Sequence, residues 1–286
     1  MRVLDALCLV YLVAVMFSLG LDRVEETGKK KEKRRHLISG LVFNLVLVPV
    51  IALAVTRVAR HASDVTSALL LLAAAPGGRY LPHLDRIAGG DTPLAIELTL
   101  FLAKLTAFTA PLTAAWLLDL HRVHIAELPF IAQLLLIQLA PLYAGKAVRR
   151  WRALLADRLT RPLRVFVDVS AAVLFAILAI GSGARASALA GDRGWAAVGM
   201  VFLLAGGAGW LAGGPSKRTR RTFALSAGAR NIALVLVIAG QAFPDSQVRL
   251  AAVVIWTAFL LLNGLFALIV GHRWPAVGAG RQARPV

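Results

Sequence analysis

The sequence is dominated by apolar stretches of about 20 residues, each long enough to cross a bilayer as an α-helix. Only 16% of the 286 residues are charged, whereas a soluble domain has about a quarter. We therefore predict an all-α polytopic membrane protein. We predict nine transmembrane helices, at residues 2–21, 37–56, 65–83, 92–118, 126–145, 165–184, 195–213, 222–243 and 248–271.

Lysine and arginine are distributed unevenly between the loops. With nine spans, 22 of the 32 basic residues fall on one side of the membrane and seven on the other. Arg79, Lys104 and Arg230 lie inside spans. Because basic residues accumulate in cytoplasmic loops, we expect the N-terminus outside and the C-terminus in the cytoplasm. The net charge of +17 is then a topology signal, so we expect the lipid bilayer, and no nucleic acid, as a partner.

Enzymatic function is disfavoured by the placement of reactive side chains. A membrane enzyme would need paired carboxylates, a histidine pair or a nucleophile at depth, and we find no such set. His121 and His124 form an H-x-x-H pattern in a loop, which is weak evidence for a metal site without a third ligand. We expect no enzyme activity and no cofactor other than an ion, and the single cysteine, Cys8, cannot form an intramolecular disulfide.

Two spans contain residues that interrupt a helix. Span 65–83 contains Pro76, Gly77 and Gly78, and span 222–243 contains the segment SAGARN. Irregular backbone at membrane depth occurs only where protein or a water-filled cavity satisfies the freed polar groups. Interrupted spans in corresponding positions of two halves point to the binding site of a transporter.

The two interrupted spans are five spans apart, which gives them opposite orientations in the membrane. This is the arrangement of an inverted repeat. We predict an N-terminal repeat of four spans, residues 1–122, and a C-terminal repeat of five spans, residues 123–286. The first repeat lacks its first helix.

Arg230 lies at the second interruption. A cation near the centre of a bilayer costs from about 2.5 to more than 10 kcal/mol, so such a residue faces a cavity or a partner. The candidate partners are backbone carbonyls, Glu97 or an anionic substrate. A structural arginine that bridges the two broken helices and a residue for substrate binding or coupling both remain open as interpretations.

These features carry a resemblance to the bile acid:sodium symporter family. The segments VAVMFSLGLD, FNLVLVP, APGG with LDRIAGGDTPLAIELTLFLAKLTAFTAPLT, and ALSAGARNIALVLVIAGQAF resemble its helices in order and spacing. The resemblance implies a panel, here spans 2–21 and 126–184, and a core of two crossing broken helices, here spans 37–118 and 195–271. It also implies an integral protein of the plasma (cytoplasmic) membrane of a bacterium.

Members of the family move organic anions inward with sodium, and a distant branch exports arsenite. The resemblance therefore implies a secondary transporter of a small organic anion that works by alternating access. The alternatives are a non-transporting sensor or scaffold of the same fold, a proton-coupled transporter and an arsenite-type exporter. Substrate and oligomeric state are left open.

The chain departs from the family at the positions that bind sodium. A glutamate and a glutamine of the second crossover are replaced by Ser226 and Arg230, while the following asparagine is retained as Asn231. A Ser-Asn pair after the first crossover is replaced by Leu81 and Pro82. Sodium requires oxygen ligands, and an arginine does not deprotonate. We expect that sodium coupling is lost or weakened and that Arg230 imitates a bound cation.

Further family positions lie on the neighbouring helices, where Ala95 replaces a serine. A residual sodium site would use Asn44, Thr99 and Ser226. The complete set of predicted cavity residues is Arg230, Asn231, Ser226, Gly228, Gly77, Gly78, Thr99, Asn44, Arg79, Glu97 and Lys104.

Several charged residues have two interpretations. Arg79 could line the cavity beside Arg230 or extend to the membrane surface. Glu97 could be solvated or be the titrating group of a proton-coupled transporter, and Lys104 could be a paired core residue or a cavity residue. Three aspartates are expected outside the site. Asp85 and Asp91 would cap helix starts, and Asp168 would lie at the end of a span.

Overall fold

The computed structural model describes residues 2–22, 30–59, 63–119, 128–182, 191–243 and 247–273. Its regular structure within these ranges is helical, and one isolated β-bridge joins two interruptions. The helices are α1 (Arg2–Leu21), α2 (Lys30–Val42), α3 (Val48–Ala59), α4 (Ser63–Ala74), α5 (Leu81–Ala88), α6 (Thr92–Asp119), α7 (Leu128–Trp151), α8 (Ala153–Ser182), α9 (Gly191–Ala212), α10 (Lys217–Gly228), α11 (Ile232–Ala242) and α12 (Val248–Arg273).

The predicted all-α architecture is confirmed, and its apolar helices are compatible with a polytopic membrane protein. Among the described residues, five stretches are long and apolar enough to cross a membrane: Val3–Leu21, Arg34–Ala59, Thr92–Leu118, Arg193–Ala212 and Val248–His272. The count of nine spans, the two inverted repeats and the panel and core boundaries remain predictions. His121 and His124 lie outside the described residues.

A π-helical turn joins α2 to α3, so the helix continues from residue 30 to residue 59. The turn comprises Phe43–Leu47 and buries Phe43 and Asn44. A π-turn within an α-helix often marks a functional position. Here it directs an amide side chain toward the centre of the protein.

Both predicted interruptions are present. The first separates α4, which ends at Ala74, from α5, which begins at Leu81. The second separates α10, which ends at Gly228, from α11, which begins at Ile232. Each interruption contains the residues that the sequence identified as unfavourable for a continuous helix.

Helices α1, α7 and α8 pack against one another. Gly20 on α1 and Gly145 on α7 meet backbone to backbone, because a Cβ at either position would collide with a main-chain oxygen of the other helix. The Nε atom of Arg149 donates a hydrogen bond of 2.7 Å to the Leu21 carbonyl. Small residues allow such close approach in membrane proteins, so these three helices form one closely packed group.

The two apolar helices beside the interruptions are enclosed by the others. Residues 65–75, which include most of α4, and residues 232–240 of α11 are all buried. Both helices pack against α12 as well as each other. A helix that is apolar on every side belongs in the interior of a bundle, and this placement brings the two interruptions to the centre of the protein.

Candidate functional site

The first interruption is an extended segment that a helix cannot continue through. Pro76 lacks a backbone N–H, and Gly77 has a φ of 95°, in the left-handed region that favours glycine. A Cβ on Gly78 would lie 2.7 Å from the carbonyl oxygen of Arg230. Gly77 is therefore required for the backbone conformation of the break, and Gly78 for the close approach of the second interruption.

The two interruptions cross and bond to each other. The amides of Gly77 and Gly78 donate to the Ala229 carbonyl at 3.2 and 2.9 Å, and the amide of Asn231 donates to the Ala75 carbonyl at 2.8 Å. Pro76 and Arg230 form an antiparallel β-bridge. Polar backbone groups freed by the breaks are thus satisfied inside the protein, as their depth requires.

Asn231 begins the helix after the second interruption. Its Oδ1 atom accepts a hydrogen bond of 3.3 Å from the Leu234 amide, which caps the N-terminus of α11. Its Nδ2 atom is buried without a partner among the described residues. The asparagine that the sequence identified as retained therefore acts as a helix cap.

The Arg230 side chain is held by oxygen atoms of three segments. Its Nε donates to the Ala227 carbonyl at 2.8 Å. Its Nη2 donates to the same carbonyl, to the Ser226 carbonyl at 3.3 Å and to Oδ1 of Asn44 at 3.2 Å. Its Nη1 lies 3.5 Å from the Ala73 carbonyl oxygen. The residue is only 2% exposed, so the guanidinium fills an interior cage.

All of these acceptors are neutral. The guanidinium bonds to carbonyl and amide oxygens, whereas Glu97, one of the predicted partners, is not among them. Such a set of oxygens is also what a hard cation such as sodium binds. The arrangement is that of an arginine bridging the broken helices and the π-turn.

Asn44 and Ser226 belong to the same cluster. Asn44 Nδ2 donates to Ser226 Oγ at 2.9 Å and to the Gly40 carbonyl at 3.0 Å. Ser226 Oγ donates to the Phe223 carbonyl at 2.8 Å. Gly228, another predicted site residue, instead contacts α12, because a Cβ there would collide with the side chain of Asn263. The oxygen atoms of both polar side chains are therefore engaged within the protein.

Three predicted site residues lie on α6 and make other contacts. Thr99 donates to the Ala95 carbonyl at 2.8 Å and lines a separate cavity. Lys104 lies over the ring of Phe101, with its Nζ 4.9 Å from the ring centroid. Glu97 is half-buried. No hydrogen bond among the described residues joins Thr99 to Asn44 or Ser226, and the residual sodium site stays a prediction.

The cavity that Thr99 lines lies between the α1–α7–α8 group and the segment from the first interruption to α6. Its volume is about 710 Å³, within the range of about 300–1,000 Å³ typical of small-molecule sites. Arg79 lines the cavity, whereas Arg230 does not. The two basic residues of the interruptions thus face different environments.

The cavity lining carries more positive than negative charge. Arg79 pairs with Asp168 at 2.7 Å, Arg149 with Asp157 at 2.6 Å, and Arg164 with Asp22 at 2.6 Å. Arg86 and Arg161 also line the cavity and form no ion pair with a described residue. The described lining could therefore accept a small anion.

The sequence interpretation of Asp85 was wrong. Asp168, which was predicted to lie at the end of a span, is part of α8 (Ala153–Ser182) and accepts hydrogen bonds from Arg79 and Tyr80; its position relative to the membrane stays a prediction. Asp85 does not cap a helix start but is fully buried on α5. The prediction for Asp91 is confirmed, since its Oδ1 accepts from the Leu94 amide at the start of α6.

A signal for Asp85 was present in the sequence. Leu81, Leu84, Asp85 and Ala88 recur at helical spacing and form the buried face of α5. A carboxylate on an apolar face requires a specific partner. No local pattern in the sequence identified Arg79 as the partner of Asp168, because the two residues are 89 positions apart.

Comparison with known proteins gives one match. The sequence model of the Sodium Bile acid symporter family matches residues 9–189. This range contains the first interruption and every residue that lines the cavity, and it ends before the second interruption. None of the curated proteins compared with the chain matches it.

Proposed function

The chain belongs to the sodium bile acid symporter family, and on this premise we propose that it moves a small organic anion across a membrane by alternating access, with sodium coupling lost or weakened. Membership supports an integral membrane transporter of the bile-acid-symporter type, and members of the family are transporters and not enzymes. The proposals of an anionic substrate, of alternating access and of lost sodium coupling rest on the cavity and on the cage around Arg230.

The observation that carries the proposal is the position of the cavity. It lies between the closely packed α1, α7 and α8 on one side and the first interruption, α5 and α6 on the other. Alternating access requires a binding site between two bodies that move relative to each other. A cavity at this boundary, next to a broken helix, is suited to that role.

The charge of the cavity supports an anionic substrate. Three of its arginines are neutralised by aspartates, whereas Arg86 and Arg161 are not. A guanidinium binds carboxylate, sulfonate or phosphate oxygens with two parallel hydrogen bonds. Bile acids, keto acids and sulfonates all fit this description, so the substrate class is proposed at the level of the anionic group.

The cage around Arg230 supports the loss of sodium coupling. Its guanidinium bonds to Asn44 Oδ1 and to three carbonyl oxygens, and these are atoms of the type that a sodium ion would require. A fixed cation in the same cage would repel a second one. We propose that the arginine takes the place of an ion.

The predicted topology gives the cavity a direction. Asp22, Arg86 and Arg161 lie in or beside loops that are predicted to be cytoplasmic, and all three line the cavity. We propose that the structure represents an inward-facing state in the plasma membrane of a bacterium.

Uptake into proteoliposomes tests the proposal. A bile acid, a 2-oxo acid and an alkyl sulfonate would each be supplied under three conditions. These are a sodium gradient, no sodium, and a proton gradient in place of the sodium gradient. We expect saturable uptake of at least one anion that persists without sodium. Strict sodium dependence would overturn the coupling proposal. Stabilisation by an anion without any flux would instead indicate a sensor or scaffold.

A further inference from the structure

Asp85 is a buried carboxyl group that the anion site does not use. It lies on α5, is 0% exposed, and accepts a hydrogen bond of 2.7 Å from Thr222 Oγ1 on α10. Its second oxygen, Oδ2, is buried without a hydrogen-bond partner among the described residues. Gly90 contacts the carboxyl group so closely that a Cβ there would collide with it.

The basic groups nearest Asp85 attract its negative charge from a distance but form no ion pair with it among the described residues. Arg218 and Arg221 on α10 direct their guanidinium groups to the carbonyls of Gly90, Ala88 and Gly89. Asp91, at the start of α6, adds a second negative charge nearby. On α12, His272 follows Gly271, which contacts the Ile87 backbone.

The remaining charged residues of α5 face elsewhere. His83 and Arg86 line the cavity on the opposite side of this short helix. Asp85 forms no ion pair with any described residue. An ionised carboxylate with one unpaired oxygen is strongly disfavoured in such a place, whereas the protonated form is not.

We propose that Asp85 is a proton-binding site that couples proton movement to the opening of the cavity. We assign the protonated form to this conformation, in which α5 packs against α10. Release of the proton to water leaves a negative charge that must be hydrated or paired, so α5 must move away from α10. The cavity-lining residues Pro82, His83 and Arg86 move with it.

This inference rests on the proposed transport function, but the proton site can be measured separately. Infrared spectra of the protein in lipid vesicles would be recorded between about pH 5 and pH 9, a range that brackets the titration of buried carboxyl groups. We expect the C=O band of a protonated carboxyl group to disappear as the pH rises. Asp85→Asn should remove the band, and the matched control Asp91→Asn should keep it.

Thr222→Val provides a second variant that retains the carboxyl group. Without the hydroxyl donor, the ionised form loses its stabilising hydrogen bond, so the band should persist to a higher pH than in the unsubstituted protein. Three results would overturn the proton site: the unsubstituted protein shows no such band, the band does not respond to pH, or the band survives in Asp85→Asn.

Coupling is tested by accumulation of the same three anions in vesicles with a proton gradient. Asp85→Asn should lose accumulation beyond equilibrium and keep exchange of internal for external anion. Continued accumulation by this variant would overturn the coupling. If the unsubstituted protein moves no anion, transport and coupling both fail, and the infrared titration still decides whether Asp85 binds a proton.

Discussion

Arg230 Nη2 donates a hydrogen bond of 3.2 Å to Asn44 Oδ1, and this bond joins the second interruption to the π-turn between α2 and α3. Both residues are buried, and they are 186 positions apart in the chain. A cation at this depth is tolerated only if its donors are satisfied. The bond therefore connects the conformation of one helix to that of the other.

Asn44→Ala and Arg230→Gln should each lower the free energy of unfolding by about 1–3 kcal/mol, because each leaves a buried polar group without its partner. The double variant should lose less than the sum of the two, with an interaction energy of about 0.5–3 kcal/mol. Denaturant unfolding in mixed micelles measures all three variants.

Arg158 provides a control for this cycle. It is exposed on α8, so Arg158→Gln should change the unfolding free energy by no more than about 0.5 kcal/mol. Strict additivity of the Asn44 and Arg230 effects would contradict the energetic connection between the two helices.

Gly78→Ala should destabilise the protein by about 1–3 kcal/mol or more. The added methyl group would lie 2.7 Å from the Arg230 carbonyl oxygen, and overpacking against a backbone cannot be relieved by a side-chain rotation. The crossing segments would have to separate and lose the Gly78–Ala229 hydrogen bond. The measurement is the thermal unfolding midpoint in detergent.

Gly207→Ala is the matched control, because Gly207 lies within α9 and a Cβ there meets no atom within 4 Å. Its unfolding midpoint should equal or exceed that of the unsubstituted protein, since alanine favours a helix. Similar losses in both variants would show that the crossover does not depend on a close approach at Gly78.

The interruptions could be predicted because their cause is local. Proline and glycine act on their own backbone, so Pro76 and Gly77 identify the first break without knowledge of any contact. The pairing of the breaks, by contrast, depends on the packing of distant segments. The sequence predicted that the two broken helices cross, but it did not predict the hydrogen bond from the Asn231 amide to the Ala75 carbonyl.

The partners of charged residues were not predictable in the same way. Arg230 was expected to have a carbonyl, carboxylate or substrate partner, and the contacts with Asn44 and Ala73 come from helices far apart in sequence. The cavity was not predictable at all, because it arises from the spacing between α1, α8 and the first interruption. Residue type indicates that a partner is required, and only packing determines which one is present.

Substitutions of the pair Arg79–Asp168 should have opposite effects on transport. Arg79 donates to Asp168 at 2.7 Å at the cavity wall, and we expect Asp168 to compete there with a substrate anion. Asp168→Asn should lower the KM for the transported anion by up to about fivefold, since an exposed ion pair contributes at most about 1 kcal/mol. Arg79→Gln should raise the KM.

Both variants should unfold at nearly the same temperature as the unsubstituted protein, because the Asp168 side chain is 53% exposed and water screens the pair. Concentration-dependent initial uptake gives the KM values. An increase in KM for Asp168→Asn would indicate that the aspartate positions Arg79 for the substrate and does not compete with it.

Sodium sensitivity should be gained by Ser226→Glu combined with Arg230→Gln. The first change supplies a carboxylate beside Asn44, and the second removes the fixed cation and frees Asn44 Oδ1. A hard cation could then enter a cage of oxygen atoms. Binding to the folded state at a concentration of about 100 times the dissociation constant would add about 2.7 kcal/mol of stability. Sodium chloride should therefore raise the unfolding temperature of the double variant, whereas choline chloride at equal ionic strength should not.

The unsubstituted protein and both single variants should respond equally to the two salts, since either the arginine remains or the carboxylate is missing. A sodium-specific response of the unsubstituted protein, or none in a folded double variant, would show that Arg230 does not occupy the place of an ion.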